Sequence, residues 1–414
     1  MPHFEYRNGE LHCESTSLRT IADAVGTPAY VYSRAALVEN YRAYDAAVAS
    51  HPHLIAYAMK ANANLGVVAT LAREGAGAEV FSGGELFRAL KAGVHPKKIL
   101  FAGPGKTREE MRDALKADIL MFNVESAGEL ALLDRVAQEL GTRAPVALRV
   151  NPDVDPETHP YIATGLRSAK FGIPIAQALG EYRKAAQLPG IEVVGVHMHI
   201  GSQLTKVAPV ADALARVVNL VETLRAQGIS VRYLDVGGGL GIRYRDEDVP
   251  TPVQYAEVVL SAVRPLGVTL ILEPGRSVVG NAGILLTRVL YNKETPDKRF
   301  VVVDAAMNDL IRPSLYNAYH EIRSVREVRG RPSLTVDVVG PVCESGDFLA
   351  KDRALPAVDE GELLAVMSAG AYGFVMASNY NARPRAPEVL VDGSRYSIVR
   401  RRESYEDLIA GESL

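Results

Sequence analysis

Leu54-Ile55-Ala56-Tyr57-Ala58-Met59-Lys60 decides the fold: an apolar run too short for an ordinary helix ends on a lysine and gives way to helix-length sequence. Outward from it the same alternation recurs, with further strand-like runs at 78–81, 98–102, 119–122, 146–150, 192–199, 231–236 and 268–272. Helical stretches such as 126–140 and 210–227 lie between them, the first opened by Ser126-Ala127-Gly128-Glu129, which has capping-box spacing. Eight strand–helix units in this length predict a closed (β/α)8 TIM barrel over residues 34–278, rather than an open doubly wound sheet.

Beyond Glu273 the texture changes. Runs at 284–291, 300–304, 334–339, 363–367, 389–391 and 396–400 are strand-like with few helical patches, and Pro28-Ala29-Tyr30-Val31-Tyr32 before the barrel is similar. Residues 1–33 and 279–414 are therefore expected to form a second, mostly antiparallel β domain built by both chain ends.

Composition narrows the class. The 414 residues carry 46 Lys+Arg against 49 Asp+Glu, a net charge of −3, which offers neither a nucleic-acid footprint nor an acidic tail. An apolar fraction of 48% suits an ordinary globular protein. The N-terminus lacks a signal-peptide core, and no apolar run of about 18 residues is present to span a bilayer, so no membrane association is expected. Two distant cysteines, Cys13 and Cys343, exclude a disulfide scaffold and fit a reducing cytoplasm.

Unusual polar residues recur where the strands end, which is where a barrel builds its site. Lys60, Ser82, Gly103, Asn123, Arg149, His199, Gly237 and Glu273 each stand at or just past such an end. A lysine there is either solvated or, partly desolvated, able to form a Schiff base with a carbonyl. Gly237-Gly238-Gly239 lets successive backbone N–H groups converge on a phosphate, although it also suits a flexible turn. Gly103-Pro104-Gly105-Lys106-Thr107 imitates a nucleotide loop, but Leu100 occupies the position of its first glycine, which leaves a loop with a helix cap.

His197-Met198-His199 places alternate histidines on one face, a spacing open to a metal, yet other strand ends offer few further ligands. No metal is expected; a His199 ring flat against an aromatic cofactor is the better functional reading, and a packed histidine the plain one. Glu273-Pro274-Gly275-Arg276 sets an acid suited to a heteroaromatic N–H⁺ beside an arginine suited to phosphate or carboxylate. In the β domain, Arg312 and Tyr316 share a face if helical and can grip a carboxylate, Cys343-Glu344 pairs a thiol with an acid in a turn, and Tyr372 lies in a glycine-rich stretch.

Together these segments resemble the diaminopimelate decarboxylases, a pyridoxal-phosphate family of the alanine-racemase-like fold class. The matching stretches are 57–62, 82–86, 199–202, 237–239, 273–276, 343–347 and 371–374, in family order over almost the whole chain. The resemblance implies a carboxy-lyase that converts meso-2,6-diaminopimelate to L-lysine and CO₂, the last step of lysine biosynthesis. It implies that Lys60 holds pyridoxal 5'-phosphate covalently and that His199 stacks on its ring. Ser202, Gly237, Gly238, Gly239, Gly275, Arg276 and Tyr372 would surround the phosphate, with Glu273 on the pyridine nitrogen. Arg276, Arg312, Tyr316, Glu344 and Tyr372 would bind substrate, and Cys343 would return a proton. It also implies a homodimer in which Cys343 and Glu344 complete the partner's site, leaving Cys13 a bystander. Ornithine would leave two arginines without a carboxylate, which favours diaminopimelate over it.

Overall fold

The computed structural model describes residues 3–155, 164–165 and 170–414. Its contacts divide the chain into two compact units: residues 40–243 with 247–277, and residues up to 39 with 244–246 and 278–414.

In the first unit eight parallel strands run in sequence order: His53–Ala58, Gly77–Val80, Ile99–Phe101, Met121–Val124, Ala144–Asn151, Ile191–Met198, Tyr233–Asp235 and Thr269–Leu272. The last pairs with the first, Leu270 opposite His53 and Leu272 opposite Ile55, which closes the (β/α)8 barrel. Ala56, Leu100, Met121, Ala147, Val194 and Ile271 fill the core as one buried cluster. Strands buried on both faces need such near-continuous apolar sequence, as the Leu54–Met59 stretch shows.

Helices follow the strands with local start signals. Ser82, Thr107, Ser126 and Thr251 each accept a backbone N–H at the start of Gly83–Lys91, Arg108–Lys116, Ala127–Glu139 and Pro252–Val263. The boxes at Ser82 and Ser126 are only half formed: Glu85 and Glu129 turn instead to the N–H groups of Phe81 and Glu125, one residue before each cap. Such caps are worth about 1 kcal/mol each.

The fourth strand begins two residues later than its apolar run suggests. Asp118 takes a left-handed φ of 55° after the Arg108–Lys116 helix, and the Ile119 N–H returns to Ala114 O at 3.4 Å. Ile119 therefore seals a helix end, and Asn123 stands within the strand rather than past it. Lys106 is also structural: its ammonium donates to Gly103 O (2.7 Å), Asn123 O (2.8 Å) and Glu129 (2.7 Å). Removing one partner of so buried a pair costs about 3–5 kcal/mol.

The second unit is a mixed sheet drawn from both chain ends. Ala29–Ser33 lies between Gly283–Glu294, antiparallel, and Glu388–Asp392, parallel. Arg299–Val303 and Ser333–Val339 supply another parallel pairing, and the remaining pairings are antiparallel, including Ser333–Val339 with Phe348–Pro356. Phe4, Leu11, Cys13, Leu18, Ile21, Val31, Ile284, Leu286, Val389 and Val391 pack in its core. Full burial of a Leu or Ile there contributes about 1.5–3 kcal/mol. Among the described residues no helix is long and apolar enough to cross a membrane.

Candidate active site

Lys60 lies in the 3₁₀ turn Met59–Ala61 that ends the His53–Ala58 strand. Its ammonium sits 3.6 Å from Glu79 Oε2 and 4.1 Å from the centre of the Phe81 ring, so the amine is held over an aromatic face beside a buried acid. Glu273 follows the neighbouring strand Thr269–Leu272. The two residues thus stand just past the ends of hydrogen-bonded partners in the barrel wall.

Around Glu273 the barrel end is rich in acid. Asn123 Nδ2 donates to Asp235 Oδ2 at 3.0 Å and to Glu273 Oε1 at 3.3 Å, and His197 Nε2 is 3.5 Å from Glu273 Oε2. Burial, reinforced by Glu79, pushes the Glu273 carboxyl well above its usual range. Burial and Glu273 do the same to Asp235. Burial lowers both His197 and His199, with Lys60 adding to the effect at His199. His197, Asp235 and Glu273 offer ligand atoms within 4.8 Å of one another, whereas sequence spacing had drawn attention to His197 with His199.

Next to this cluster is a glycine-built backbone cradle. At Gly238 a Cβ would fall 2.1 Å from Glu273 O, and at Gly239, with φ +106°, 2.3 Å from Gly201 O, so neither position tolerates a side chain. The Gly238 N–H points to His199 Nδ1 at 3.4 Å, and Arg276 Nη2 donates to Ser202 Oγ at 3.0 Å. Cradle, guanidinium and hydroxyl suit a phosphate. Glu79 Oε2, Asn123 Oδ1 and both His197 nitrogens are buried without a hydrogen-bond partner among the described residues, as expected of a barrel end shaped for a polar guest. The residues fit pyridoxal phosphate: an amine for its carbonyl, an acid for its ring nitrogen and a cradle for its anion.

In the second unit Arg312 and Tyr316 occupy one short helix, Arg312–Tyr316. Arg312 is buried, donates to Tyr244 Oη at 2.8 Å and lies 3.1 Å from His320 Nε2. Met367 O, 2.8 Å from His320 Nδ1, accepts a hydrogen bond from the Nδ1–H, which leaves Nε2 as the acceptor for Arg312. Cys343 and Glu344 are exposed between Ser333–Val339 and Phe348–Pro356. Asp347 roots their loop by accepting N–H groups of Val342 and Met307, each at 2.7 Å, and Ser314 donates to Gly346 O. Tyr372 is held at φ +55°, a rare state for a bulky residue.

Residues 34–280 match the family described as "Pyridoxal-dependent decarboxylase, pyridoxal binding domain". The chain is 56% identical over 414 residues to the diaminopimelate decarboxylase of Pseudomonas aeruginosa, covering 100% of this chain and 99% of that one. It belongs to the diaminopimelate decarboxylase family. A second relative, from Aquifex aeolicus, is 51% identical over 409 residues, covering 99% and 97% of the two chains. The solved diaminopimelate decarboxylase from Helicobacter pylori complexed with L-lysine superposes with TM-score 0.92 at 43% identity, covering 95% of this chain and 98% of that one. That from M. jannaschii with L-lysine gives 0.94 at 41%, covering 99% and 98%.

Within this decarboxylase family frame, sequence reasoning left without a role Asp235 and His197 at the barrel end and, separately, Tyr244 beside Arg312 in the second unit. Asp235 had a legible signal, a lone acid in the apolar run 231–236. Tyr244 had none, because its partners Arg312 and His320 lie 68 and 76 positions away.

Proposed function

We propose that this pyridoxal-phosphate-dependent carboxy-lyase converts meso-diaminopimelate to L-lysine and CO₂ with the residues described above in specific roles. The observation that carries the assignment is the adjacency of Lys60 and Glu273 at the barrel end beside the Gly237–Gly239 cradle. When bound, pyridoxal phosphate supplies an electron-accepting ring that makes loss of CO₂ next to an amine feasible. Lys60 Nζ holds the cofactor, His199 packs its ring, and Glu273 keeps a proton on the pyridine nitrogen. Ser202, Arg276, Gly275, the Gly237–Gly239 backbone and Tyr372 hold its phosphate.

Substrate recognition follows charge. Arg276, Arg312 and Tyr316 bind the distal carboxylate, and Glu344 with Tyr372 the distal ammonium. Cys343 Sγ delivers a proton to the carbon that has lost CO₂. The barrel, 34–278, and the β domain, 1–33 with 279–414, divide these tasks. Because Cys343 and Glu344 are exposed on their own chain, we assign them to the site of a second copy in a homodimer. A reducing cytoplasm suits an exposed catalytic thiol.

The test is turnover. Purified protein with pyridoxal phosphate should release CO₂ and L-lysine from meso-diaminopimelate, and Lys60→Ala should abolish both release and the bound-cofactor absorbance. Mixing inactive Lys60→Ala and Cys343→Ala dimers should restore part of the activity; no recovery after subunit exchange would refute the shared site.

A further inference from the structure

Cys343 and Glu344 stand on an exposed loop, yet proton delivery and ammonium recognition need both groups fixed to within a fraction of an ångström. Asp347 secures only the root of that loop. Its tip is met by another segment, Asn379–Arg383. The Cys343 N–H donates to Asn381 Oδ1 at 3.0 Å.

The segment making these contacts is conformationally unusual. Asn381 and Ala382 are consecutive non-glycine residues with left-handed φ of 54° and 53°. An asparagine visits this region more readily than most residues, whereas an alanine does so only when its surroundings impose it. The surroundings are present: Asn379 Nδ2 donates to Arg383 O at 3.1 Å and to Glu403 Oε2 at 2.7 Å, and the Ser378 N–H donates to Asn308 O at 2.9 Å. The turn is thus braced from behind while Asn381 meets the backbone of Cys343 at the loop tip.

We propose that Asn381 is a positioning residue for the decarboxylation, acting by fixing the backbone of Cys343. This rests on the reading of Cys343 as proton donor. Loss of the Asn381 contact acts on the proton step.

The test compares Asn381→Gly and Asn381→Asp in the cofactor-loaded enzyme. Glycine keeps the left-handed backbone and deletes the acceptor, while aspartate keeps an acceptor oxygen. Asn381→Gly should lower kcat roughly ten- to a hundredfold with little change in KM, and Asn381→Asp should recover most of it. A second readout is independent of turnover: Cys13 is fully buried and Cys343 exposed, so iodoacetamide reports Cys343, and its labelling should quicken several-fold in Asn381→Gly. Parent-like kcat and labelling in Asn381→Gly would overturn the proposal while Cys343→Ala remains impaired. If Cys343→Ala were fully active, the underlying assignment of Cys343 would fall instead.

Discussion

Asn123 braces Glu273: its amide Nδ2 donates to the Glu273 carboxylate at 3.3 Å from inside the barrel. The same amide reaches Asp235 at 3.0 Å, so one neutral donor lies between two buried acids. Ionised together with Glu79, these acids would crowd negative charge where no bulk water screens it, which adds to burial in raising Glu273 and Asp235 above their usual range. A protonated ring nitrogen is the partner that relieves such crowding, which gives the Glu273 assignment its physical basis.

Glu273→Gln keeps the size of the side chain and its contact with Asn123 but removes the charge that holds the pyridinium proton. The variant should still bind cofactor, seen by visible absorbance, and lose about 10²–10³-fold in kcat. Unchanged turnover would remove Glu273 from this role.

The Arg276–Ser202 pair makes a graded prediction about cofactor affinity. A hydrogen bond from a charged group is worth about 1.5–3 kcal/mol and a neutral one about 0.5–1.5 kcal/mol. Arg276→Met should therefore weaken pyridoxal phosphate binding about 10- to 100-fold, and Ser202→Ala by about tenfold or less. Titrating cofactor-stripped protein measures both, and an Arg276→Met protein with parental affinity would place the phosphate elsewhere.

The barrel was legible because its strands are buried on both faces and so read as short apolar runs, and because polar residues interrupt those runs where they end. Lys60 and Glu273 each follow an uninterrupted apolar stretch, and that local contrast made them stand out. The strand Phe348–Pro356 was missed because Lys351, Asp352 and Arg353 interrupt it, a pattern tolerated where one side of a strand meets solvent. Motif reading covered Lys60, His199, Glu273 and Arg276. The contacts of Asp235 and His197 were invisible because barrel closure joins segments remote in sequence, and those of Tyr244 because Arg312 and His320 lie far along the chain.

Arg312 supports a specificity prediction. It is buried, its cation lies 4.7 Å from the Tyr244 ring centre, and it spends donors on Tyr244 and His320, a planar arrangement that lysine cannot copy. Arg312→Lys should raise KM for diaminopimelate about tenfold or more with a smaller change in kcat, because binding of a spectator carboxylate is lost. A parallel assay with L-ornithine tests direction: discrimination between the substrates should shrink, and unaltered discrimination would exclude Arg312 from carboxylate recognition.

Stability in the second unit should carry a pH signature from Asp309. This residue is 1% exposed and accepts the Ala306 N–H at 3.0 Å, yet burial pushes its carboxyl from 3.8 to about 7. Asp304 adds to the rise, while the Ala306 N–H, Arg383 and Arg402 oppose it. An acid whose folded pKa is raised binds its proton more tightly in the folded state. The resulting stability is fully present below about pH 4 and drains away as pH rises toward about 7. Asp309→Asn retains an acceptor for Ala306 and has no proton to lose. At about 1.4 kcal/mol per unit of displacement, it should match the parent near pH 4 and exceed it by a few kcal/mol at pH 8. Urea midpoints for the two proteins across that range measure the difference, and a gap that stays constant with pH would show that Asp309 is ionised in the folded chain.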